Sequence, residues 1–133
     1  MYVRSRERPL RPAAYSHRRQ EARYITTIPV TVMRYLRFGP SVTEAMSLDI
    51  SRSGMSALVC GAPRVGETVV IAPRSRRDAV EILASVRHST DARTGFQFYP
   101  LSSTAEKTIE EWINELEQEE MAQLYGLWRR SQN

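Results

Sequence analysis

The sequence is short of nearly every residue type that marks a covalent or metal-bound centre. Its single cysteine, Cys60, sits in an apolar run. No disulfide framework or cysteine metal site can form, and a reducing cytoplasm is the expected location. The two histidines, His17 and His88, are far apart, with no cysteine or carboxylate at ligand spacing, which argues against a metal centre. A glycine-rich phosphate loop and a nucleophile elbow are both missing. Glu44 and Asp49 could make a carboxylate pair, but beside a turn they read as a solvated strand residue and an Asx-turn residue. No catalytic set emerges, so neither an enzyme nor a resident cofactor is expected. Apolar runs fall far short of the roughly 20 residues a membrane span requires. The basic N-terminus has no apolar core and does not read as a secretory leader.

Lysine is almost absent as well: Lys107 is the only one among 19 Lys and Arg residues. At 133 residues, with 41% hydrophobic and 26% charged side chains, the chain has the size and composition of one globular domain. Its net charge of +4 is unevenly spread. The first 23 residues carry seven arginines against Glu7 and Glu21, while residues 103–120 carry seven glutamates against Lys107. A basic arm of this kind seeks an anion, either a ligand or the chain's own acidic segment.

Three regions follow. Residues 1–15, with Pro9 and Pro12 among arginines, lack periodicity and read as a flexible arm. Residues 16–102 read as short strands at about ten-residue spacing, an antiparallel barrel or sandwich. Ile28, Val30 and Val32 alternate with Pro29, Thr31 and Met33, the period of a half-buried strand, and Pro29 marks an edge or a bulge. Phe38-Gly39-Pro40-Ser41 signals a turn, followed by strands near Thr43–Leu48, Met55–Cys60 and Glu67–Ala72. Val80, Ile82, Ala84 and Val86 give the cleanest alternation, and Thr94–Tyr99 the last strand. Residues 103–130 read as an amphipathic helix. Ser103 to Glu106 has capping-box spacing, and Ile109, Trp112, Ile113, Leu116 and Leu124 share a face. The spacing predicts that this helix covers the barrel while its C-terminal part outruns it.

Two local patterns carry chemistry. Arg18-Arg19-Gln20-Glu21-Ala22-Arg23 precedes the first strand, and Arg19 and Arg23, four apart, can reach one ligand. The guanidinium fork matches both phosphate oxygens and the O6/N7 edge of guanine. The second pattern is Asp49-Ile50-Ser51-Arg52-Ser53-Gly54. Asp49 accepts from N–H donors, Ser51 offers a hydroxyl, and Gly54 permits tight or left-handed backbone. Each alone also fits a solvated basic run or an ordinary turn.

In this order the two patterns resemble the PilZ family of cyclic di-GMP receptors, marked by Arg-x-x-x-Arg and then Asp/Asn-x-Ser-x-x-Gly. Here they are Arg19, Arg23, Asp49, Ser51 and Gly54, and Gly95-Phe96-Gln97-Phe98 resembles the family's last strand. The resemblance implies an all-β fold with a C-terminal helix, a six-stranded antiparallel barrel. It also implies cyclic di-GMP as ligand, clamped by Arg19 and Arg23 and read by Asp49 and Ser51. Gly54 would keep the turn clear, and Arg18 would add a contact or hold a second, stacked nucleotide. Ordering the arm would then signal to a downstream protein partner, not a membrane. The C-terminal helix or stacked ligand offers a route to a homodimer. Competing readings are a barrel that binds RNA or single-stranded nucleic acid, and a degenerate family member serving only as a protein adaptor.

Overall fold

A computed structural model describes residues 21–74 and 80–132. Arg18, Arg19 and the predicted flexible arm lie outside the described residues, as does most of the basic loop after Pro73. Among the described residues, seven strands precede one helix: β1 Tyr24–Ile25, β2 Pro29–Leu36, β3 Gly39–Ile50, β4 Gly54–Val59, β5 Thr68–Pro73, β6 Ile82–Ser89, β7 Thr94–Phe98 and α1 Ser103–Ser131. The sheet order is β1-β3-β2-β5-β6-β7-β4, and a further pairing of β3 with β4 closes it. The result is a six-stranded antiparallel barrel, with β1 added along the end of β3.

The alternating positions supply the core. Val30 and Val32 of β2, Val69 and Ile71 of β5, and Ile82, Ala84 and Val86 of β6 are all buried. Ile50, Met55, Ala57 and Phe96 complete the inner layer. The period of two found in the sequence is therefore the period of burial. No helix among the described residues is long and apolar enough to cross a membrane.

Three local expectations change. Pro29 is neither at a sheet edge nor in a bulge. It is the first residue of β2, which lies between β3 and β5, a position where a missing N–H breaks no ladder. Gly39 and Pro40 belong to β3, paired with Leu36 and Tyr35, so the hairpin turns more tightly on Arg37 and Phe38. The helix N-cap is Ser102, one residue earlier than the spacing suggested. Its hydroxyl accepts from the Ala105 amide at 3.1 Å.

Helix α1 divides into two halves. Ala105, Thr108, Ile109, Trp112 and Ile113 are buried in the same core as the strands, with Leu116 partly buried against it. Trp112, 2% exposed, donates its indole N–H to the Thr26 hydroxyl at 3.3 Å. Leu124 does not continue this face: it is 56% exposed, because the helix has by then left the barrel.

Two substitutions test this packing. Trp112→Ala removes the largest fully buried side chain. It should cost about 3–5 kcal/mol, lowering the Tm followed by circular dichroism by about 10 °C or more. Gly54→Ala should cost about 1–3 kcal/mol, because a Cβ there would run into the Phe96 carbonyl of the adjoining strand. An unchanged Tm for Gly54→Ala would mean that β4 and β7 can separate freely at this point.

Candidate functional site

The site begins with two interruptions of strand alternation. In β3, Ala45 and Ser47 face inward, so strict alternation would send Asp49 into the core. A register shift between Ser47 and Asp49 adds a residue, and Ile50 takes the core position. Asp49 is thereby turned outward. In β6, Ile82, Ala84 and Val86 face inward, and the shift lies between Val86 and His88. Arg87 and His88 are both left exposed. The two bulges therefore place polar side chains outside the barrel where alternation would have buried two of them.

The register brings these residues into one row. Asp49 pairs with Ser56, Ser56 with Gly95, and Gly95 with His88, across β3, β4, β7 and β6. The middle of the row is small: a Cβ on Gly95 would strike the His88 ring, and Gly54, paired with Gln97, is one step along. A low floor of small residues with charged rims makes an open cleft of about 930 Å³. Arg23, Arg87 and Arg93 line it together with Asp49.

Arg23 reaches the cleft because β1 pairs with the end of β3, Ile25 opposite Asp49. Its Nε and Nη2 donate to one Asp49 carboxylate oxygen at 3.1 and 2.7 Å. Arg93, just before β7, donates to the other oxygen. Burial of the carboxylate pushes the Asp49 pKa up, but hydrogen bonds and charge from Arg23, and then from Arg93, outweigh it. They hold the group below the usual carboxylate range. Asp49 is thus an ion-paired strand residue, not the Asx-turn residue that its sequence position allows.

The turn after β3 is built from within. Ser51 is fully buried. Its amide donates to the Gly54 carbonyl at 2.8 Å, and its hydroxyl accepts from the amides of Ser53 and Gly54 at 3.4 and 3.2 Å. The Ser51 side chain serves the turn. Gly54 is required by the close approach of the Phe96 carbonyl, not by left-handed backbone. Arg52 and Ser53 face outward, Arg52 to Glu110 of α1 at 3.4 Å and Ser53 to Glu21 at 2.5 Å.

Of the six residues singled out from the sequence, Arg23, Asp49, Ser51 and Gly54 come together, while Arg18 and Arg19 are outside the described residues. Arg87, His88, Arg93 and Gln97 were missed. Nothing local in the sequence marks them, since they reach the cleft only through the β4–β7–β6 pairing. Gly95, beside the bulge, was the one available signal.

The depressed Asp49 pKa has a consequence for stability. A carboxylate with a folded pKa below its unfolded value near 4 stabilises the fold above that value. The contribution is lost as pH falls through the folded pKa. Asp49→Asn should therefore lower the Tm at pH 7, and the gap from the parent chain should close below about pH 4. A gap that persists unchanged down to pH 3 would assign the effect to shape, not charge.

Comparison with known proteins supports the architecture. The sequence matches the family model for the PilZ domain over residues 17–115. The PilZ domain of YcgR from Escherichia coli, with c-di-GMP, superposes with a TM-score of 0.63 at 20% identity, covering 80% of this chain and 97% of that one. The PilZ domain of CeSA from a cellulose-synthesizing bacterium gives 0.59 at 18% identity, over 72% and 98% of the two chains. The Bacillus subtilis inhibitor of motility MotI/DgrA gives 0.57 at 12% identity, over 75% of this chain but only 51% of the larger one. No curated protein matches the sequence. With three-quarters of its length matched by the family model and the same barrel and helix in place, the chain belongs to the PilZ domain family.

Proposed function

We propose that the chain is a cyclic di-GMP receptor whose ligand occupies the cleft around Asp49. The observation that carries this reading is the Arg23–Asp49 pair at the rim of an open, arginine-lined cleft. Three guanidinium groups line the cleft with one carboxylate, Arg23 and Arg93 directly on it, leaving cationic surplus for two phosphates. The small floor at Gly54, Ser56 and Gly95 leaves room for flat bases.

Guanine suits such a pair in particular. Its O6/N7 edge accepts a bidentate guanidinium, and its Watson–Crick edge donates N–H groups that a carboxylate accepts. In the free protein Arg23 and Asp49 satisfy each other. A bound guanine would take over both roles, so neither charge is left unpaired when the internal bridge opens. Adenine has no O6 for the guanidinium fork. Arg19 and Arg18 would add the phosphate contacts from the arm, Gly54 would keep the floor clear, and Ser51 would hold the turn that carries Asp49. The arm would be ordered on binding, and its new surface, read by a protein partner, would be the signal.

Isothermal titration of the full chain with cyclic di-GMP, with GTP, cyclic di-AMP and a short RNA as controls, tests the assignment. Arg19→Ala and Arg23→Ala should each weaken cyclic di-GMP about ten- to hundred-fold while leaving the fold intact. Asp49→Ala should reduce the preference over cyclic di-AMP, even though removing an anion favours phosphates. Parent-like binding by both arginine variants would overturn the site, and preferential RNA binding would favour the nucleic-acid reading.

A further inference from the structure

Beyond Leu116 the helix carries an apolar face that the barrel does not use. Every described residue from Glu117 to Gln132 is exposed except the half-buried Gly126. Yet Met121, Leu124, Tyr125 and Trp128 recur at the spacing of one helical face, with Leu127 at its border. Each of these five is 55–65% exposed. Tyr125 and Trp128 rest against each other at 5.8 Å between ring centroids, extending the stripe as one surface. A soluble chain gains nothing from presenting so many large apolar groups on one stripe unless something covers it.

We infer that this face docks on the same face of a second copy, forming an antiparallel two-helix homodimer. Two features select this occupant. The first is charge: Glu117, Glu119 and Glu120 lie before the stripe, and Arg129 and Arg130 end it. An antiparallel pair centred between Leu124 and Tyr125 sets Met121 level with the partner's Trp128. It also brings the Arg129–Arg130 end alongside the partner's acidic stretch, whereas a parallel pair would set like charges side by side. The second is length. With that centre, the end of one helix at Ser131 falls level with Gln118, just past Leu116, the last helix residue packed on the barrel core. The projecting stretch of about 22 Å is therefore the stretch that pairing uses, and the barrels sit at opposite ends without collision. The contact is two-fold symmetric, so one patch serves both partners.

This dimer does not depend on the nucleotide, so it is tested on nucleotide-free full chain by sedimentation equilibrium. The parent protein should associate in the micromolar range to twice its 15.3 kDa. Leu124→Glu/Trp128→Glu should be monomeric with an unchanged circular dichroism spectrum. Arg129→Glu/Arg130→Glu should weaken association at least about tenfold by setting like charges together. Adding Glu119→Arg/Glu120→Arg in the same chain should restore it, which a parallel pair cannot do. A monomeric parent chain, a dimer that survives Leu124→Glu/Trp128→Glu, or a dimer formed only with cyclic di-GMP would overturn the proposal.

Discussion

The constraint on which the rest depends is the length of β3. At twelve residues it is twice as long as β4 or β5, and it is shared by three neighbours. Its first eight residues pair with β2, five of its last six with β4, and its final two also carry β1. A strand that borders both ends of the chain-order sheet closes it and leaves no long edge open. The same overlap fixes where the arm enters, because β1 has only the end of β3 to pair with. The residue just before β1, Arg23, is therefore held beside Asp49 by barrel closure, and no separate binding device is needed.

Closure alone would bury the carboxylate. The bulge before Asp49 prevents this, and the bulge before His88 does the same on the far side of the cleft. A bulge also bends its strand, so the irregularity that turns a polar side chain outward adds to the curvature of the barrel. The exposure gained is incomplete. The Asp49 side chain remains only 13% accessible, so its ionised form needs the two arginines. Asp49 is consequently a poor site for an unpaired charge.

Strand periodicity made most of the fold legible. Val30 with Val32 and Ile82 with Ala84 and Val86 mark the core directly, since burial on one face of a strand leaves a period of two. The site was half legible. Asp49 and Gly54 stood out because a turn with that composition is compact, yet the reason for Gly54 was hidden: its constraint comes from the Phe96 carbonyl, 42 positions away in a neighbouring strand. Arg87 and Arg93 were invisible for a related reason. An arginine beside a turn looks like any solvated charge until strand order places it across from a carboxylate. Leu124 shows the converse error, because helical spacing reports an apolar face but not how far the barrel extends beneath it.

The helix joins the site to the surface that it presents. Tyr24, next to Arg23, donates its hydroxyl to Glu117 at 2.6 Å, and Arg52, between Ser51 and Ser53, reaches Glu110. Tyr24 and the turn are thus both tied to α1 by polar contacts. Glu110 lies over the barrel, but Glu117 is the first residue of the projecting half. Any movement of the arm that displaces Tyr24 must break or drag that contact, at the base of the apolar stripe. The Tyr24–Glu117 bond is exposed and weak by itself. The strand that carries Arg23 to the cleft and the projecting helix are in this way connected through the Tyr24 side chain.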